Sequence, residues 1–200
     1  MCGGTHFSEK DCLARHAAIL TGPIQIGSMC MGMCNTLPLC YLSPVPHIYL
    51  IIHNVRSAHN VGSMFRTADA AGVSKIYLTG YTPAPIDKFK RPQKEIAKTA
   101  LGAEKIIPWE SVAAVEDVIT KLQHNGVLVV ALEQAAQSID YRALTSKKPI
   151  ALIVGNEVDG IPNEVLALCD HIIHIPMYGT KESLNVSVAA GIALFQLRNV

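Results

Sequence analysis

Residues 153–191 read IVGNEVDGIPNEVLALCDHIIHIPMYGTKESLNVSVAAG. An apolar run ending at Val154 gives way to a turn-rich loop, Gly155–Pro162. Pro162–Leu168 predicts a short helix with proline near its first turn. His171–Ile175 is isoleucine-rich and predicts a strand. A second loop, Pro176–Ser183, leads into Leu184–Leu197, an almost wholly apolar predicted helix for which Ser183 is a candidate N-cap. The loops carry nearly every polar group of the stretch. Gly, Asn, Glu and Asp placed this tightly between buried elements suit a small-molecule site.

The same alternation runs upstream. Ile48-Tyr-Leu-Ile-Ile52 is continuous and apolar, as in a strand buried on both faces. A helix is predicted at about Asn60–Ala71 and a strand at Lys75–Thr79. A Pro- and Lys-containing loop follows at Thr82–Pro92. Glu95–Leu101 reads as a helical turn and Lys105–Ile107 as a short strand. Ser111 is read as the cap of a helix through about His124, ended by Gly126. Val127–Leu132 and Pro149–Val154 are further strands. Uniformly apolar strands alternating with helices predict an α/β fold: a parallel sheet covered on both faces, with ligands beyond the carboxyl ends of its strands. The loops after Ile52, Leu132, Val154 and Ile175 all lie at such ends.

Composition sets the outer limits. Half of the 200 residues are hydrophobic and 16% are charged, which supports a real core; the net charge of +1 means that any nucleic-acid contact rests on a local cluster. Five of the six cysteines precede residue 41, so no disulfide framework staples the folded part. That pattern suits a reducing, cytoplasmic setting. No apolar run reaches membrane-spanning length, and Glu9, Lys10, Asp11 and Arg15 interrupt any signal-like start. Residues 1–46, rich in Cys, Gly, Met and Pro, read as a poorly ordered extension with a possible helix at Asp11–Leu20. Cys30, Cys34 and Cys40 match no strong zinc pattern. Residues 47–200 read as one domain.

Three segments carry polar groups with chemical potential. In His53–Gly72, a helical projection puts Val61, Met64, Phe65, Ala68, Ala71 and Gly72 on one stripe. His59, Asn60, Ser63, Arg66, Thr67 and Ala70 fall opposite. An arginine among small polar neighbours suits a phosphate or ribose; an Asn cap with one surface Arg is the plainer reading. In Val154–Gly160, Gly155 and Gly160 let a ligand approach the main chain. The loop is neither a dinucleotide fingerprint nor a P-loop. Glu157 and Asp159 lack the further ligands a metal requires, so no metal is expected. In Ser183–Ser187, Asn185 and Ser187 enter an apolar helix and need partners, from a ligand or from loop backbone.

Together, Asn60-Val-Gly-Ser-Met-Phe-Arg66-Thr-Ala-Asp-Ala-Ala-Gly72, Gly155-Asn-Glu157 with Gly160, and Ile175-Pro-Met177 with Ser183-Leu-Asn185-Val-Ser-Val-Ala resemble the three motifs of the TrmH (SpoU) branch of the SPOUT RNA methyltransferases. The resemblance covers about His47 to the C-terminus. It implies an α/β SPOUT fold with a C-terminal trefoil knot. It implies S-adenosylmethionine as cofactor, held at Gly155, Ile175, Met177, Ser183, Leu184 and Asn185 with Leu132 near the adenosine. It implies a homodimer in which Arg66 faces the cofactor of the other subunit, and a ribose 2′-O-methylated product in tRNA or rRNA. Neither DNA nor membrane is expected as a partner.

The implied catalytic set is Arg66, Asn60, Glu157, Ser183 and Asn185. A guanidinium keeps its proton far above neutral pH, which makes a free base implausible, so Arg66 is expected to bind a phosphate and stabilise a developing oxyanion. Asn60 and Ser183 would orient ribose and Arg66, and Glu157 would fix the loop or Asn60. Lys88, Lys90, Arg91, Lys94 and Lys98, with Arg56, form the best local RNA patch; a solubilising loop is the alternative. The competing function is a non-catalytic RNA-binding or assembly module that keeps the fold.

Overall fold

Isoleucine and leucine on both sides of one strand build the centre of the sheet. In the computed structural model, which describes residues 47–199, β1 (Ile48–His53) sends Ile48, Leu50 and Ile52 to one face and Ile51 to the other. All of these side chains are fully buried. The expectations for residues 1–46, including the Asp11–Leu20 helix and the cysteine cluster, lie outside the described residues.

The other elements follow in order. They are α1 (Ala58–Ala70), β2 (Lys75–Thr79), α2 (Lys94–Ala100), α3 (Ala103–Ile106), β3 (Trp109–Val112), α4 (Val115–His124), β4 (Leu128–Leu132) and β5 (Ile139–Asp140). A short 3-10 turn at Tyr141–Ala143 leads to β6 (Ile150–Val154), α5 (Asn163–Leu166), β7 (His171–His174) and α6 (Val186–Leu197). The seven strands are ordered β3-β2-β1-β6-β4-β7-β5, and every pairing is parallel. Leu50 sits in register with Ile76 on one side and Leu152 on the other. Helices α1, α2, α3 and α6 cover one face, where Phe65, Met64, Ile96 and Leu194 are buried. Helices α4 and α5 cover the other through Val118, Ile119, Leu122 and Val165. Because all strands run the same way, the loops after β1, β2, β4, β6 and β7 emerge at one edge.

Four local expectations are corrected. Residues 105–107 are not a strand: Ala103–Ile106 is a single helical turn that buries Ala103 while Ile106 points to solvent. Three residues are too few for periodicity to separate the two states. Ser111 does not cap a helix; it lies in β3 opposite Leu78, and α4 starts after Ala114. Pairing with β2 commits Ser111 to the strand, and α4 starts without a side-chain cap. Helix α1 is capped by Ser57, whose hydroxyl accepts from the Asn60 amide at 3.3 Å, rather than by Asn60. Helix α6 is capped by Asn185, not Ser183, and begins at Val186.

Candidate active site

The loops after β4, β6 and β7 and the approach to α6 enclose a cleft of about 280 Å³. Leu132, Val154, Leu184, Val186 and Ala189 give it an apolar floor, and Gly155 and Gly160 bring backbone to its wall. Its polar lining is Glu133, Gln134, Asn156, Glu157, Glu182 and Ser183, with no Lys, Arg or His among the described lining residues. A contiguous recess of about 110 Å³ adds His174, Ile175 and Met177. Of the residues expected at a cofactor site, Leu132, Gly155, Ser183 and Leu184 therefore meet in one cleft, and Ile175 and Met177 line its extension. Asn185 does not line it; its carboxamide is used at the rim.

The wall formed by the loop after β6 is held from beneath by Asn156, a buried side chain. Its Nδ2 donates to the Asn54 carbonyl at 3.1 Å and to the Tyr81 hydroxyl. Its Oδ1 accepts from the Val158 and Asp159 amides at 2.7 and 3.2 Å. Backbone bonds between Asn156 and Gly160 close the loop, and Gly160 sits at φ +66°, a conformation that favours glycine. Glu133 ties this loop to the end of β4: its carboxylate accepts from the Ile161 amide and the Gln134 amide, both at 2.9 Å. Gln134 in turn donates to the Glu182 carbonyl at 2.8 Å, so the loop before α6 joins the same frame.

At the rim, Asn60 is the meeting point of three segments distant in sequence. Its Nδ2 donates to Glu157 Oε1 at 2.8 Å, and its Oδ1 accepts from Asn185 Nδ2 at 3.2 Å. Asn185 Oδ1 then caps α6, accepting from the Ser187 amide at 2.9 Å and the Ser187 hydroxyl at 2.6 Å. One carboxamide thus sets the start of α6 and orients Asn60. Asn185 and Ser187 find their partners in each other and in Asn60, which answers what these polar residues do at the head of an apolar helix. Glu157 is a hydrogen-bond acceptor for Asn60, and among the described residues no group of three or more His, Cys, Asp or Glu side chains is arranged to hold a metal ion.

Arg66 lies elsewhere. Its exposed side chain lines a separate groove of about 540 Å³ with Ser63, Thr67, Ala70, Lys98, Thr99, Leu101 and Phe195. Within one chain, then, the arginine does not share the cleft of Leu132, Gly155 and Ser183. Before α1, His53 ends β1 in a buried polar chain. Its Nδ1 is 2.9 Å from the Thr79 hydroxyl, and its Nε2 is 3.0 Å from Asn54 Nδ2. An amide nitrogen only donates, so Nε2 accepts and the proton resides on Nδ1. Burial pushes the His53 pKa below its ordinary value, with Glu116 partly opposing the shift.

A model of the SpoU rRNA Methylase family matches residues 47–195. The chain belongs to the SpoU rRNA methylase family.

Among SpoU relatives, a protein of Ralstonia nicotianae named 23S rRNA (guanosine-2′-O-)-methyltransferase RlmB is 37% identical over 151 residues, which is 76% of this chain and 58% of the relative. The RlmB protein of Neisseria meningitidis is 33% identical over 153 residues, with the same 76% and 58% shares. The chain thus spans 58% of the length of these curated relatives. The crystal structure of an AdoMet-bound rRNA methyltransferase from Sinorhizobium meliloti superposes with a TM-score of 0.68 at 38% identity, covering 76% of this chain and 56% of that one. The A. aeolicus TrmH/SpoU tRNA modifying enzyme superposes with a TM-score of 0.67 at 30% identity, covering 77% and 75%. No described helix is long and apolar enough to cross a membrane.

Sequence reading missed Asn156 as the loop's anchor, and Glu133, Gln134 and Tyr81 as its outer supports. Glu133 and Gln134 directly follow an apolar strand at a predicted ligand-binding edge, a signal that points to them. Tyr81 carries none, because its link to Asn156 spans 75 residues.

Proposed function

We propose that residues 47–200 form the catalytic domain of an S-adenosylmethionine-dependent RNA methyltransferase that modifies a ribose 2′-hydroxyl of rRNA or tRNA in the cytoplasm, working as a homodimer. One observation carries this reading: an apolar-floored cleft with three carboxylates, Glu133, Glu157 and Glu182, and no Lys, Arg or His among its described lining residues, in a chain whose exposed arginine groove is separate. S-Adenosylmethionine bears a sulfonium, an ammonium and one carboxylate, so it is a net cation, and when bound it supplies an already activated methyl group. The carboxylates suit those cations, and Leu132, Leu184, Val186 and Ala189 suit an adenine ring. The same carboxylates repel phosphate, so RNA phosphates are best met by the Arg66 and Lys98 groove.

The work left to this chain is alignment and charge stabilisation. Arg66 binds the phosphate beside the target ribose and stabilises negative charge on the 2′-oxygen as its proton passes to solvent water. Asn60, oriented by Glu157 and Asn185, positions the ribose, and Ser183 at the cleft edge assists. The two halves are joined across a dimer. Support comes from α6, whose Val188, Ile192 and Phe195 form an exposed apolar stripe continued by Leu184. Phe195 also lines the Arg66 groove, so a partner seated on the stripe reaches the arginine. We assign the C-terminal trefoil knot as well, supported by the SpoU family match and by the order that sets β6 between β1 and β4 while β7 lies beyond β4.

The decisive experiment incubates the full chain with methyl-labelled cofactor and bacterial RNA and maps the modified nucleoside. A 2′-O-methylated nucleoside is expected, lost in Arg66→Ala with cofactor affinity retained. A base-methylated product overturns the ribose assignment, and failure to bind labelled cofactor favours the non-catalytic RNA-binding module.

A further inference from the structure

The loop between β2 and α2 is built more firmly than a solubilising loop requires. Asp87 organises it: Oδ1 accepts from the Phe89 and Arg91 amides at 2.8 and 2.9 Å, and Oδ2 accepts from Arg91 Nε at 2.9 Å. The Asp87 amide donates to the Arg91 carbonyl, the Lys90 amide donates to the Asp87 carbonyl, and Ile86 bridges Pro92. Lys90 takes a left-handed turn at φ +61°, a conformation that costs a non-glycine residue free energy and persists only where its surroundings impose it. The product of this arrangement is Phe89, 64% exposed, with the Lys88 ammonium 5.1 Å and the Arg91 guanidinium 4.8 Å from its ring centroid.

The base of the loop is anchored toward the cleft. The Tyr81 amide donates to Asn54 Oδ1 at 3.2 Å, and its hydroxyl meets Asn156, the residue that holds the cleft wall. Thr82 Oγ1 donates to the Ile52 carbonyl at 3.0 Å. An exposed aromatic ring with two cations over it, on a hydrogen-bonded turn of a loop whose base is tied to the cleft wall, has the chemistry of a base-stacking platform. A ring face is tolerant of base identity, and the flanking charges meet the phosphates on either side.

We propose that Phe89 stacks an unpaired nucleobase of the RNA substrate, with Lys88 and Arg91 on the adjoining phosphates, so that the strand is captured at this loop and led to the cleft. The proposal rests on the reading of the chain as an RNA methyltransferase and names single-stranded RNA as what that site receives.

The test uses the full chain and a fluorescein-labelled single-stranded RNA of about ten nucleotides, the scale of a single-strand binding site. An abasic oligomer of equal length is the control. Wild type should bind the base-bearing RNA about tenfold more tightly than the abasic one, and Phe89→Leu should remove that advantage while leaving abasic binding unchanged. Phe89→Trp should keep it. Lys88→Ala should weaken both probes alike and lower the salt dependence. Equal binding of the two probes by wild type, or undiminished binding by Phe89→Leu, overturns the platform. Calorimetry with S-adenosylmethionine separates the two readings. If base-dependent binding through Phe89 persists in a chain that binds no cofactor, the platform stands and the methyltransferase assignment falls. If RNA is methylated and Phe89→Leu leaves KM unchanged, the platform alone falls.

Discussion

Asn156→Ala tests whether the cleft is preorganised by a single buried carboxamide. The change deletes bonds to the Asn54 carbonyl, the Tyr81 hydroxyl and the Val158 and Asp159 amides. Val158, Asp159 and Tyr81 are exposed, so water can replace the lost partner there. The half-buried Asn54 carbonyl loses an inner donor, and at about 1 kcal/mol for a net hydrogen bond the folded state loses about that much. For a domain of this size that lowers Tm by roughly 2–4 °C. The second effect falls on the cofactor. Freeing two loop residues that must be reordered on binding, at about 1 kcal/mol each, weakens affinity roughly thirtyfold. Thermal unfolding and titration calorimetry with S-adenosylmethionine measure the two effects separately. Tyr81→Phe, which removes one partner only, should shift both in the same direction by less. A lower Tm with unchanged affinity would refute preorganisation of the loop, and no change in either would refute the assigned role of Asn156 altogether.

Three further outcomes are expected. Asn185→Ala removes the cap of α6 and frees Asn60 Oδ1, so unfolding measurements should show a loss of about 1 kcal/mol together with slower methyl transfer. His53 is held below its ordinary pKa of 6.5 by burial, so the unfolded state binds the extra proton first; stability is complete above about 6.5 and falls as pH drops toward the lower folded value. Comparing denaturation of wild type and His53→Gln from about pH 7 to about pH 5 should show a shallower dependence in the variant. Ile192→Glu places a charge in the exposed stripe of α6, and sedimentation should find a monomer with intact cofactor binding and no methyl transfer; a dimer of unchanged stability counts against the α6 interface.

The strands that carry the fold were legible because burial on both faces leaves a plain mark. Lys75–Thr79 has the predicted limits, and β1, β4, β6 and β7 differ from theirs by about one residue. The buried stripe of α1 was legible for the same reason, since Val61, Met64, Phe65 and Ala68 recur at helical spacing and are all buried. Short elements were not. Ser111 looked like a cap because it precedes an amphipathic run, but pairing with Leu78 claimed it for an edge strand. Ser183 and Asn185 are both good caps by residue type, and the choice between them turned on Asn60, which lies 125 residues before Asn185.

The sequence by itself determined an α/β domain with parallel strands, and it named the segments that furnish a site. Its apolar runs and glycine-bearing loops are local properties, and local sterics and burial suffice to read them. The tertiary structure decided which of those groups meet. It brought Asn60, Glu157 and Asn185 into one hydrogen-bonded chain, put Asn156 beneath the loop as its anchor, and left Arg66 outside the cleft. Those facts depend on strand order and on loop approach across a hundred residues or so of chain. A hydrogen bond is set by distance and angle, and neither is written in the spacing of residues along a sequence.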